Sequence, residues 1–150
     1  MRIERGAAAV GQIALLPERE AWWVRTLRLW CDGAAGQAAL RDQLTLRLGV
    51  AQADTFMDRT GDLLTLCTQY ARRPLLRHAL SCDCVGADEA VFALFTATAA
   101  QDREEAMMIA CLLLRADVVP IAVSLAQTLG LDLDRAQRRP DYAAPRGRLN

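Results

Sequence analysis

The only histidine of the chain and two of its five cysteines fall within seven residues, as His78, Cys82 and Cys84. Imidazole and thiolate are donors that zinc prefers, and three of them with a fourth group complete a tetrahedral site. His78 and Cys82 are four apart, so one helical turn would place them on the same side. Cys84 precedes a helix start, where the backbone dipole favours a thiolate. Asp83, Cys67 and Cys111 are the candidate fourth ligands. The segment is a candidate metal centre with zinc as its ion. Thiol redox is the competing chemistry, and a Cys82–Cys84 disulfide would close a very small, strained and easily reduced ring. The spacing departs from structural zinc sites, which favour wider cysteine pairs and usually two of them. The expectation is therefore the plainer one. The cysteines act as small buried hydrophobes and His78 as a cation at a helix end.

Other chemistry is thinner. One histidine excludes a triad of histidine ligands. No glycine-rich phosphate loop and no serine in a nucleophile elbow is present. The acid pairs Asp88–Glu89 and Glu104–Glu105 sit at helix starts, where acids complement the dipole. A non-enzymatic protein is expected, with no cofactor beyond the zinc alternative. Leu44, Leu48, Gly49 and Val50 resemble the middle of a helix-turn-helix, but Thr45, Thr55 and Asp58 stand where small or apolar residues belong. The would-be reading face between Leu44 and Arg59 carries Asp54 and Asp58, which repel phosphates. The segment from Arg135 to Asn150 holds five arginines against one acid and could grip an acidic partner or RNA. Nucleic acid is nonetheless not the expected partner. Trp22, Trp23 and Trp30 interleave with Arg19, Arg25 and Arg28, and Trp and Arg are enriched at interfaces. Trp22 points about 100° away from Trp23, which makes Trp22 and Arg19 the candidate self-association residues.

These residues must be carried by helices. Alanine and leucine, 27 and 23 of them, make up a third of the 150 residues, and both lose little side-chain freedom in a helix. Pro17, Glu18 and Glu20 open a helix through Trp30 that Gly33 ends. A second carries Leu40, Leu44 and Leu48 and stops at Gly49. A third, from Ala51 to Arg72, has an apolar stripe through Ala53, Phe56, Thr60, Leu63, Cys67 and Tyr70. A short helical turn is expected over Leu75–Leu80, then a break from Ser81 to Gly86. A fifth helix begins near Asp88. Asp102 and Glu105 form a capping box for a central sixth, Arg103–Ala116. Asp117 caps a seventh, which Gly130 stops. The predicted fold is an all-α bundle of six to seven mostly antiparallel helices with no significant sheet. Residues 1–133 form the domain, residues 1–16 a loosely packed arm, and residues 134–150 a flexible basic tail.

The charge balances, 18 basic against 18 acidic, so no global field draws in nucleic acid or an anionic membrane. The longest apolar run, Ala106–Leu114, is nine residues, against about 20 for a membrane span. The poor signal-peptide character of the first 16 residues and the odd cysteine count point to the cytoplasm. The function expected from sequence is a helical interaction or regulatory protein that forms a homodimer. A metal or thiol sensor at His78, Cys82 and Cys84 is the alternative.

Overall fold

A computed structural model describes residues 5–138. It contains six α-helices: α1 (Glu18–Cys31), α2 (Ala34–Leu48), α3 (Val50–Gln69), α4 (Ala87–Thr98), α5 (Arg103–Ala110) and α6 (Val119–Gln137). The first three are separated by almost nothing. Gly33 and Gly49 sit at φ 89° and 86°, a left-handed conformation that only glycine adopts cheaply, so Asp32 and Gly33 suffice to connect α1 to α2 and Gly49 alone connects α2 to α3. Asp102 caps α5 by accepting from the Glu105 N–H at 3.1 Å. α4 lies at the centre, packed against α1, α5 and α6, while α3 bridges α2 and α6. A chain of edge-to-face rings runs through this centre, from Phe56 to Trp22, Trp23, Phe92 and Phe95, with centroids 4.9–6.0 Å apart.

The all-helical expectation holds, with departures that have physical causes. Residues 103–116 do not form one helix. α5 ends at Ala110 because chain leaving α3 takes its place: Arg72 N–H donates to Leu113 O at 2.9 Å and Arg115 N–H to Tyr70 O at 3.0 Å. Gly130 does not stop α6. It lies buried inside the helix, where a side chain would meet Ala100 at 2.9 Å. Residues 134–137, assigned from sequence to the tail, form the last turn of α6, and residues 139–150 lie outside the described residues. Leu75–Leu80 is irregular rather than helical. The arm contains β1 (Ala9–Gln12), which pairs antiparallel with β2 (Cys84–Gly86) in the register Ala9–Gly86, Gly11–Val85 and Gln12–Cys84. The core takes Leu63 and Cys67 from α3, Phe92 and Phe95 from α4, Ala106 and Ala110 from α5, Leu113 and Leu114 from the chain just past it and Ala122 from α6, while Leu125 is half-buried. No helix among the described residues is long and apolar enough to cross a membrane.

Candidate metal centre

The apolar stripe of α1 runs through Val24 and Leu27, and the next residue on it is a charge, Arg28. Opposite, the first turn of α4 buries Asp88 and Glu89. Arg28 is 2% exposed and Glu89 is fully buried, so each charge requires a partner. Arg28 Nε donates to Glu89 Oε2 at 2.7 Å and Nη2 to Oε1 at 2.8 Å. Burial alone would raise the Glu89 carboxyl, but hydrogen bonds from Arg28, Gly86 and His78 outweigh it and hold the group below its ordinary value. The hydrogen bond to Glu89 raises the guanidinium in turn, against the effect of burial.

The remaining capacity of this pair goes to the loop. Arg28 Nη1 donates to Cys82 O and Nη2 to Cys84 O, both at 2.7 Å. Glu89 accepts from His78 N–H at 3.1 Å and Gly86 N–H at 3.0 Å. Four main-chain groups of a segment with little regular structure are thus satisfied by one buried ion pair. Asp88 does the same one step earlier. It accepts both Arg73 guanidinium nitrogens, at 2.8 and 2.9 Å, and the Leu76 N–H at 2.9 Å.

On this scaffold His78, Cys82 and Cys84 converge. Their donor atoms all lie within 4.8 Å of one another, and the two sulfurs are 3.1 Å apart. The convergence is not the helical turn expected from sequence. A tight turn, Cys82 N–H to Ala79 O at 3.0 Å, folds the chain back, and Cys84 is held as the first residue of β2. His78 Nε2 lies 2.9 Å from Ala7 O. A carbonyl can only accept, so Nε2 carries the proton and an uncharged ring keeps its lone pair on Nδ1. A metal-ligating histidine typically donates its second nitrogen to a carbonyl in this way. The fit is close: a side chain at Gly86 would meet the His78 ring and Gly6 O at 3.2 Å. The Cys84 thiol is raised above its ordinary 9.0 by its hydrogen bond with Cys82 and by burial, with Arg28 opposing. All three donors are half-buried, reachable from solvent yet held.

None of the candidate fourth ligands, Asp83, Cys67 and Cys111, joins them. Among the described residues the group contains His78, Cys82 and Cys84 alone. Cys67 is fully buried in the core, its thiol pushed up by burial. Cys111 lies half-buried just past α5. Trp22 and Arg19 are engaged within the chain: Trp22 packs edge-on against Trp23 and Phe56, and Arg19 bonds Asp134 of α6 at 2.8 Å. Around Gly49, Asp54 and Asp58 are exposed. Sequence reasoning did not single out Arg28 and Glu89 as a pair. The available signal was a charge placed on the apolar stripe of α1. Compared with protein-family models, curated proteins and solved structures, the chain matches none.

Proposed function

We propose that this chain is a metal-binding regulatory protein that holds zinc through His78, Cys82 and Cys84, and that it is not an enzyme. The observation that carries this reading is the convergence of three soft donors on a loop whose main chain is already fixed by the Arg28–Glu89 pair. Two thiolates and an imidazole are a zinc donor set. At a zinc–sulfur distance of ~2.3 Å a tetrahedral ion holds two sulfurs about 3.8 Å apart. Cys82 and Cys84 therefore need only a modest opening from 3.1 Å. Three protein ligands leave the fourth position to water or to a donor from outside the loop. Glu89, one of the two buried acids bonded to this segment, has its oxygens committed to Arg28, His78 and Gly86. It therefore serves as a scaffold for the loop rather than as a free base. The metal would tie His78 to β2, and through β2 and Ala7 to the N-terminal arm, so packing of the arm would follow metal occupancy.

The five cysteines are free thiols, which suits the reducing cytoplasm. A homodimer completes the reading. Met108 and Leu112, four residues apart, are 73% and 69% exposed and offer an apolar contact that Trp22, packed on its own chain, offers less.

The test is a competition titration of the reduced protein against a chromophoric zinc chelator. One zinc per chain is expected, with uptake lost in His78→Ala, Cys82→Ser and Cys84→Ser and kept in Cys31→Ser and Cys111→Ser. Equal uptake by Cys82→Ser and the parent would overturn the site. The 3.1 Å sulfur contact favours one other reading, thiol redox. A protein that takes no zinc but forms a Cys82–Cys84 disulfide with a mild disulfide oxidant would establish that reading in its place.

A further inference from the structure

Away from the stripe that α3 buries, a second stripe of Gln52, Thr55 and Arg59 runs along the helix at spacings of three and four. The end of α6 carries its own stripe at a spacing of three, Asp132, Arg135 and Arg138. The two stripes line one cavity of about 520 Å³, a size typical of small-molecule sites. Asp132 organises its wall. It bonds Arg59 Nη1 at 3.2 Å from one oxygen and Arg135 from the other. Arg138 has no acidic partner among the described residues. Three guanidinium groups therefore face one carboxylate, a surplus of two positive charges at a concave surface. Compensation of the α6 dipole accounts for Arg135 and Arg138 at a helix C-terminus. It accounts for neither Arg59, which comes from another helix, nor the cavity between them.

We propose that this cavity binds a small phosphorylated molecule. A phosphate monoester carries close to two negative charges on one compact head, which matches the surplus; a single carboxylate would leave half of it unmet. Guanidinium forks bond phosphate oxygens in pairs, and Gln52 and Thr55 add neutral polar groups. Leu48 and Ala136 complete the wall and give the body of the ligand an apolar surface. A polynucleotide fits less well, because it would continue along α3 past the exposed carboxylate of Asp58, whereas Asp54 is already paired with Arg41.

Calorimetric titration with inorganic phosphate, and separately with a single-stranded 20-residue oligonucleotide, tests this. The parent protein should show saturable, salt-sensitive binding of one phosphate per chain. Arg138→Gln and Arg59→Gln should each weaken it about tenfold. Arg25→Gln, which removes an exposed charge on α1, should leave it unchanged. Arg138 ends a helix at the surface, so an unaltered far-UV circular dichroism spectrum is expected for its variant. Phosphate heats that do not saturate, or an Arg138→Gln effect no larger than that of Arg25→Gln, would overturn the proposal. So would an oligonucleotide that binds more tightly than phosphate and is weakened by the same two substitutions, since that describes an extended nucleic-acid surface.

Discussion

Arg28 on α1 and Glu89 on α4, 61 positions apart, form a buried bidentate pair that holds the two cysteine carbonyls on one side and the His78 and Gly86 N–H groups on the other. The pair links the helical core to the loop that gathers the metal donors. Glu89→Gln should cost about 3–5 kcal/mol, because it leaves a buried guanidinium without its counter-charge. The double substitution Arg28→Met with Glu89→Leu removes the unpaired charge but leaves the Cys82 and Cys84 carbonyls and the His78 and Gly86 N–H groups without partners, so it should recover little of that stability and should also lose zinc affinity. Urea unfolding and chelator competition on the same samples separate the two effects. A double variant with unchanged affinity would show that the pair plays no part in shaping the loop.

The core makes a second prediction. Phe92 is fully buried between Trp23 and Phe95 on the central helix. Phe92→Ala should cost about 3–5 kcal/mol in urea unfolding. Leu125→Ala, at a half-buried position, should cost clearly less. Equal losses would mean that α4 is not the centre of packing.

Cys67 sets a pH dependence. Burial raises its thiol above the ordinary 9.0. Below that pH both the folded and unfolded states keep the proton and stability is unaffected. Above it the unfolded chain ionises while the folded one does not, so stability falls as pH rises, approaching ~1.4 kcal/mol per pH unit. Cys67→Ala should remove this part of the slope between pH 8 and pH 10. Parallel slopes in the parent and the variant would contradict it.

The glycines of the two paired strands separate fit from flexibility. A Cβ at Gly86 would press on the His78 ring and on Gly6 O, whereas one at Gly11 would meet nothing within 4 Å. Gly86→Ala should weaken zinc binding about 10–100-fold, the scale for disturbed support of a ligating histidine. Gly11→Ala should leave it near the parent value. Equal affinities for the two variants would detach the arm from the site.

The helices were legible where one face repeats: the α3 stripe from Ala53 to Cys67 and the glycines at 33 and 49 fix elements by local chemistry alone. The donor cluster was legible because two rare residue types crowd seven positions, although the geometry that unites them was not. Leu75–Leu80 reads as helical, but Asp88 takes the Leu76 N–H and Glu89 the His78 N–H that a helix would have used internally. Those acids lie 11 and 12 positions away, beyond any local pattern. β1 was hidden for a similar reason. Its four residues are all exposed and show no alternation, and its strand character comes from pairing with β2. Arg28 was visible only as a charge on an apolar stripe, since its partner is supplied by the fold.

X-ray absorption at the zinc edge, on the reduced protein loaded with one equivalent of zinc, tests the metal centre most directly. Two sulfur neighbours at ~2.3 Å, one imidazole nitrogen at ~2.0–2.1 Å and one further light-atom neighbour are expected. A zinc shell made only of oxygen and nitrogen, or a protein that retains no zinc after desalting, would contradict it.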